Sequence, residues 1–172
     1  DAVTLIMYRM LFALPLFLLL SWWASRGRPA LQRRDVLTVA GLGSLGYYLS
    51  SFLDFIGLQY VSAGLERLIL YLNPTLVLLI GVLFLGKRAT RRQLVALGVS
   101  YAGALLVFSH EVTLAGSNVW LGTALVFASA VSYALYLSLS GEEVKRLGAL
   151  RLTGLATSVA CVLCIAQFFA LR

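Results

Sequence analysis

The chain has 172 residues, of which 60% are hydrophobic and only 12% are charged, and its mean hydropathy is +0.91. Soluble domains carry about 25% charged residues, so this composition excludes an ordinary soluble protein and indicates an integral membrane protein. The formal net charge is +7, but the basic residues stand between apolar segments, a placement that excludes a nucleic-acid-binding surface as their explanation.

Six segments are apolar and long enough to cross a bilayer as α-helices, since a helix rises about 1.5 Å per residue and the hydrocarbon core is about 30 Å thick. In chain order they lie at 3–23, 36–61, 64–92 with its closing basic residues, 94–109, 120–139 and 152–171. The predicted fold class is therefore an all-α, polytopic transmembrane helix bundle. The sequence begins with Asp1 rather than Met and shows no signal-peptide pattern, so we expect it to be part of a longer protein.

The loops between these segments alternate in basic content. Lys and Arg number four in loop 24–35, one in the turn at 62–67, four in loop 86–93, none at 110–119 and three in loop 140–151. Because cytoplasmic loops are enriched in Lys and Arg, loops 24–35, 86–93 and 140–151 are predicted to face the cytoplasm. We expect a bacterial-type plasma (inner) membrane, with loop 140–151 a solvated hairpin.

Charged residues inside membrane spans suggest function, because burying a charge in lipid is costly. The candidates are Arg9, Asp54, Glu66 and Arg67, which are all predicted in the outer third of the membrane. One interpretation is a structural ion-pair network; the other is an outer gate or a proton-coupling carboxylate, with Asp54 the better candidate because it lies deeper.

Polar side chains recur at helical spacing within the spans and predict faces turned toward a helix seam or a central cavity. The predicted cavity residues are Tyr47, Tyr48, Ser51, Asn73, Tyr133 and Tyr136. Pro74 is expected to free the Leu70 carbonyl and to kink the third span beside Asn73. The kink has either a purely structural role or a part in substrate binding.

Two short motifs have simpler interpretations than their chemistry suggests. Gly41, Gly43 and Gly46 match a dinucleotide-binding pattern but lie inside an apolar span, which favours close helix packing. Cys161 and Cys164 form a CxxC pair within a membrane helix, without a second ligand pair. No catalytic residues, metal site or cofactor are expected.

The stretch IGLQYVSAGLERLILYLNPTLVLLIGVLFLGKRATRRQLVALGVSYAGALLVF, residues 56–108, resembles the core of the EamA-type drug/metabolite transporter superfamily. The shared features are a helix ending in a small-residue turn, a helix with a central Pro, a basic hairpin and a small-residue-rich helix ending in GxLLVF. The family pattern usually has Glu after the Gly that closes the fourth helix, whereas Lys87 follows Gly86 here.

The resemblance implies ten helices in two inverted five-helix repeats, of which this chain would supply helices two to seven. Residues 1–110 would then be helices two to five of the first repeat, and residues 111–172 the start of the second. A weak match between residues 8–14 and 150–156 is in keeping with inverted repeats.

The expected function is a secondary transporter, an exporter of small metabolites, amino acids or drugs, working by alternating access around a central cavity with proton coupling. Its expected partners are a small-molecule substrate and the lipid bilayer. The alternative is a non-transporting membrane scaffold protein, which would not require polar faces on several helices.

Overall fold

The computed structural model describes residues 2–108 and 118–171, which contain helices and connecting turns but no β-strand. A π-helical segment, Ser44–Leu49, lies between the second and third helices. The α-helices are α1 (Ala2–Ser25), α2 (Arg33–Gly43), α3 (Ser50–Gly57), α4 (Ala63–Leu70), α5 (Asn73–Leu83), α6 (Arg91–Phe108), α7 (Val119–Leu147) and α8 (Ala149–Leu171). The predicted all-α class is confirmed.

Within the described ranges, five helical spans are long and apolar enough to cross a membrane. They are Thr4–Ser25, Arg33–Gly57, Ala63–Leu83, Val119–Leu147 and Ala149–Ala170. The second combines α2, the π-helical segment and α3, and the third combines α4 and α5. Helices satisfy their backbone hydrogen bonds internally, which a chain surrounded by lipid requires. The chain is therefore a polytopic helical membrane protein.

The remaining predicted span, 94–109, corresponds to α6. This helix has 18 residues and begins with Arg91, Arg92 and Gln93, which lower the mean hydropathy of so short a helix. It consequently does not count among the five candidate spans. Residue 109 and positions 110–117 of the predicted outer loop lie outside the described residues.

Loop 140–151 was predicted wrongly as a hairpin of twelve residues. α7 continues to Leu147 and α8 starts at Ala149, so Gly148 alone connects the two helices. The 29 residues of α7 extend about 43 Å, which exceeds the hydrocarbon thickness of about 30 Å. The charged residues that suggested a loop instead occupy the last turns of this long helix, where pairs three residues apart on one face stabilise it. These pairs are Glu142 with Lys145 and Glu143 with Arg146.

The helices form two compact units. Unit 1 contains the chain up to Phe52 together with the chain from Leu139 onward, and unit 2 contains Leu53–Ser138. Unit 1 is therefore built from the two ends of the sequence, and unit 2 from its middle.

Unit 1 is centred on the antiparallel pair formed by α1 and α8, where Met10 contacts Cys161 and Ser21 contacts Gly154. Small residues permit this approach, because a Cβ on Gly154 would lie only 2.7 Å from the Ser21 Oγ. Gly43 packs equally closely against the Ala156 backbone of α8. The packing interpretation of the glycine motif thus applies to Gly43, whereas a side chain at Gly41 would meet open space.

Unit 2 has an apolar core at the turn between the second and third spans. Val61, Leu65 and Ile69 pack there with Val126 of α7, which is fully buried. Ser62 begins α4 by accepting a hydrogen bond from the Leu65 amide at 3.2 Å, a typical helix N-cap. The turn is thereby fixed by both capping and packing.

Ser44, the first residue of the π-helical segment, and Ser50, directly after it, both donate to backbone carbonyls of the same span. Ser44 donates its hydroxyl to the Ala40 carbonyl at 2.8 Å, and Ser50 donates to the Gly46 carbonyl at 2.8 Å. Such bonds compete with the regular ladder and bend helices. A π turn also adds a residue to the helical repeat, so the polar stripe predicted along the second span does not follow α-helical spacing through this segment.

Candidate functional site

The third span, where Pro74 predicted a kink, is interrupted in the middle of its apolar run. α4 ends at Leu70 and α5 begins at Asn73, so Tyr71 and Leu72 form a turn between them. The Leu72 amide donates to the Ile69 carbonyl at 3.0 Å, and this bond joins residues three apart instead of the four of an α-helix. Pro74 has no amide hydrogen to donate. Polar backbone is therefore present at the interruption.

Two cavities of unit 2 meet at this interruption. One, of about 400 Å³, is lined by Arg67, Leu70, Tyr71, Asn73 and Pro74. The other, of about 530 Å³, runs between α5 and α6 and also includes Asn73 and Pro74. The two residues thus border both cavities.

Asn73 carries the polar group at this position. Its Oδ1 is buried and has no hydrogen-bond partner among the described residues. A buried amide oxygen without a partner is unfavourable by about 1–3 kcal/mol, so a ligand that donates a hydrogen bond would be stabilised there. Asn73 is therefore the residue of the predicted set with the clearest capacity to bind.

Three of the four predicted charged residues come together in unit 2. Glu66 opens α4 and is 9% exposed, and its carboxylate lies within electrostatic range of both Asp54 and Arg67. Arg67 also lines the smaller cavity beside Asn73. The charge group and the helix interruption therefore share a residue.

Arg9, the fourth charged residue, lies on α1 in unit 1. It is within electrostatic range of the Cys161 and Cys164 thiols on α8. Tyr48 of the π-helical segment also lies within range of Cys164. Arg9 and Tyr48 therefore both face the same section of α8.

The predicted aromatic residues divide between the units. In unit 1, Tyr48 stacks on Phe52 with ring centroids 6.3 Å apart and planes 7° apart, while Tyr47 and Ser51 are half-buried. In unit 2, Tyr133 and Tyr136 on α7 have centroids 5.8 Å apart, and Tyr136 is 4% exposed. That all six predicted cavity residues line one cavity stays a prediction.

Sequence reasoning missed a cluster of polar and charged residues at one end of unit 1. Arg146 forms an ion pair with Asp35 at 2.5 Å, and Asp35 also accepts a hydrogen bond from the Gln32 amide at 3.0 Å. Arg28 donates to the Leu147 carbonyl, and Arg151 donates to the Pro29 carbonyl at 3.1 Å. The available signal in the sequence was Asp35, an acidic residue directly after two arginines. An acidic residue in this position is typical of a helix start, and a basic residue from elsewhere in the chain can form an ion pair with it.

These contacts join loop 24–35 to the junction of α7 and α8, so two of the three basic loops lie at the same end of unit 1. Their common side agrees with the alternation of basic loops, and the assignment of that side to the cytoplasm stays a prediction.

Within the part of the chain that the structure describes, no three His, Cys, Asp or Glu residues form a metal-binding group. The two cysteines are free thiols buried on α8.

The sequence of this apolar, helical chain matches a known family. A profile described as the EamA-like transporter family matches residues 1–109. The chain belongs to the EamA-like transporter family.

Two relatives of this EamA-like chain carry names that agree with the family. The chain is 33% identical to "Uncharacterized transporter YcbK" of Bacillus subtilis (strain 168) over 168 residues, which cover 93% of this chain and 51% of that protein. It is 29% identical to "Uncharacterized transporter YyaM" of the same organism over 115 residues, covering 66% of this chain and 38% of that protein.

The EamA-like chain spans about half the length of YcbK and less of YyaM. No solved structure matches it at a comparable level of significance. The family and the names of both relatives support a membrane transporter.

Proposed function

We propose that this EamA-like protein is a secondary transporter that exports a small metabolite, amino acid or drug across the inner membrane by alternating access. The observation that carries the proposal is the interruption of the third span at Tyr71 and Leu72. Transporters bind substrates where membrane helices are discontinuous, because only there does the backbone offer free polar groups at depth.

Asn73 and Arg67 supply the recognition chemistry in this proposal. The Asn73 amide oxygen accepts a hydrogen bond from the substrate, and Arg67 on the adjoining cavity wall attracts a carboxylate or another anionic group. Tyr71 adds an aromatic surface to the same cavity. These groups suit a small zwitterionic or anionic substrate.

Proton coupling is assigned to the carboxylates. Glu66 lies within electrostatic range of both Asp54 and Arg67, and Arg67 lines the cavity. Intramembrane carboxylates are the groups that proton-linked carriers use to bind and release protons. Movement of a proton onto Asp54 would therefore change the charge beside Glu66, which is itself within electrostatic range of Arg67 on the cavity wall.

Transport assays in proteoliposomes test the substrate site. The full reading frame that contains these residues is reconstituted, and uptake of a substrate library is measured with and without an imposed pH gradient. Asn73→Leu removes the amide at similar volume and should lower the transport rate about tenfold, since the loss of one buried hydrogen bond is worth about 1.5 kcal/mol. Gln59→Leu, which removes an amide from an exposed turn, is the matched control.

Asp54→Asn separates coupling from binding in the same assay. We expect it to abolish gradient-driven uptake while counterflow exchange of substrate, which needs no net proton movement, continues. Equal transport by the wild type, Asn73→Leu and Asp54→Asn would refute the proposed site. A folded protein that transports no member of the library would favour the scaffold alternative.

A further inference from the structure

The polar end of unit 1 encloses a cavity that the transport proposal does not use. It has a volume of about 500 Å³ and lies where α1 and α7 end and α2 and α8 begin. Its charged lining residues are Arg28, Asp35, Lys145, Arg146 and Arg151, hence four cations and one carboxylate. The cavity is therefore electropositive.

The cations differ in how their charge is balanced. Lys145 pairs with Glu142 at 2.9 Å, and Arg146 pairs with Glu143 at 2.6 Å as well as with Asp35. Arg28 and Arg151 instead donate to the backbone carbonyls of Leu147 and Pro29. A carbonyl satisfies a donor but carries no net charge. Arg151 also lies within electrostatic range of Asp35, but neither guanidinium group forms a direct ion pair among the described residues, so both can still attract an anion.

Arg151 gives the strongest indication of a missing ligand. It is 5% exposed, and its Nε has no hydrogen-bond partner in the described portion of the chain. A buried guanidinium with an unused N–H is unfavourable unless an anion accepts from it. The planar donor array of Arg matches the oxygens of a phosphate group.

Two helix N-termini add to the positive potential. α2 begins at Arg33 and α8 at Ala149, and the residues directly before them, Gln32 and Gly148, line the cavity. The helix dipole favours an anion at such ends. The opposing C-terminus of α7 has its Leu147 carbonyl covered by Arg28, which reduces the negative contribution there.

We propose that this cavity binds the phosphate group of an anionic ligand, with Arg151 and Arg28 as the binding residues. A volume of about 500 Å³ exceeds a bare phosphate and accommodates a glycerophosphate headgroup. The ends of membrane spans lie at headgroup depth, where basic pockets between helices meet anionic lipids. The phosphate is supplied either by such a lipid or by a soluble phosphate compound.

Two binding measurements on the purified full reading frame distinguish these sources. In phosphatidylcholine nanodiscs at low salt, binding of inorganic phosphate is measured by calorimetry. In detergent, retention of added phosphatidylglycerol is measured by native mass spectrometry. Retention of phosphatidylglycerol without phosphate binding identifies a lipid site, phosphate binding alone identifies a soluble ligand, and both together identify phosphate recognition from either source.

Variants locate the binding in the cavity. Arg151→Gln and Arg28→Gln should each weaken binding about tenfold, as expected for one charge-assisted hydrogen bond. Arg34→Gln changes the charge equally on an exposed neighbour that does not line the cavity, and should leave binding unchanged. Asp35→Asn removes the lining carboxylate but keeps an acceptor for the Gln32 amide, and should strengthen binding.

The variants also keep the proposal testable if Arg151→Gln does not fold. Arg28 is exposed, so its substitution is compatible with folding, and Asp35→Asn changes binding in the opposite direction. Absence of both phosphate and phosphatidylglycerol binding in the wild type overturns the proposal. Equal binding by Arg28→Gln, Asp35→Asn and Arg34→Gln does so too, because it would show that general surface charge is responsible.

Discussion

Gly148 is the single residue that connects α7 and α8. Its φ of +86° lies in the left-handed region, which glycine adopts without steric cost. The space that a Cβ would fill is occupied by the Arg28 guanidinium. Both the backbone and the neighbouring side chain therefore require glycine at this position.

Gly148→Ala should destabilise the protein by about 1–2 kcal/mol, the cost of a left-handed conformation for an L-residue, and displacement of Arg28 adds to it. Unfolding by denaturant in detergent micelles measures the change. Gly141→Ala is the control, because Gly141 lies inside α7 with open space around it. That substitution should stabilise α7 by about 0.5–1 kcal/mol. Equal effects of the two would contradict the role assigned to Gly148.

At the scale of single residues, the sequence predicted which charged residues matter better than it predicted their contact partners. Glu66, Arg67 and Asp54 were expected together, and electrostatic contacts join them. Asp35 was not among the predicted residues. Its ion pair with Arg146 connects positions 111 residues apart (146 − 35), and no local pattern contains that information.

The interrupted third span is the element on which the proposed function depends. Pro74 stands in the first turn of α5, where its missing amide hydrogen is tolerated, and the turn at Tyr71 and Leu72 precedes it. Replacing the proline restores a donor and favours one continuous helix. Stability and transport should then respond in opposite directions.

Pro74→Ala should leave thermal stability equal to or above that of the wild type while transport falls about tenfold or more, because the polar backbone beside Asn73 is withdrawn. Proteoliposome uptake and thermal unfolding are measured on the same preparation. Pro15→Ala, within α1, makes the same chemical change at a residue that lines neither of the two cavities beside Asn73, and transport should persist. A Pro74→Ala protein with normal uptake would remove the support for a substrate site here.

Helices were predictable where the length of an apolar segment defines them. They were harder to predict where side chains compete with the backbone for hydrogen bonds. Pro74 indicates a break in the helical hydrogen bonding, because proline has no backbone N–H to donate. The π-helical segment was missed because Ser44 and Ser50 suit a regular helix equally well: Ser21 and Ser158 make the same type of bond to the carbonyl four residues earlier within regular α-helices. Charged residues misled at 140–147, since pairs three apart stabilise a helix end as readily as a loop.

For the molecule as a whole, the membrane sidedness of the loops is the most direct test. Cysteines introduced at Ala30, Ala89 and Ala149, all exposed, should react with a membrane-impermeant maleimide from the cytoplasmic side, and one at Ala63 from the opposite side. Cys161 and Cys164 are first replaced by Ala to remove background labelling. Labelling of Ala30→Cys and Ala149→Cys from different sides would contradict the contacts between their loops.

The pairing of helices was beyond sequence reasoning. α1 packs against α8 because Ser21 and Gly154 permit close approach, and small residues of this kind occur along many of the spans. Hydropathy counts spans but carries no information on which surfaces fit. The fit between these surfaces divides the chain into unit 1, built from the two ends of the sequence, and unit 2, built from its middle.

This division also has a consequence for biosynthesis. Unit 2 is continuous in sequence and has all its residues once position 138 has been translated, whereas α1 waits until α8 is made. During that interval the small-residue face of α1 must be held by lipid or by the insertion machinery. Translation pauses or truncations before residue 149 would therefore leave unit 2 able to assemble and unit 1 without its central pair, and such chains should be substrates for membrane quality control.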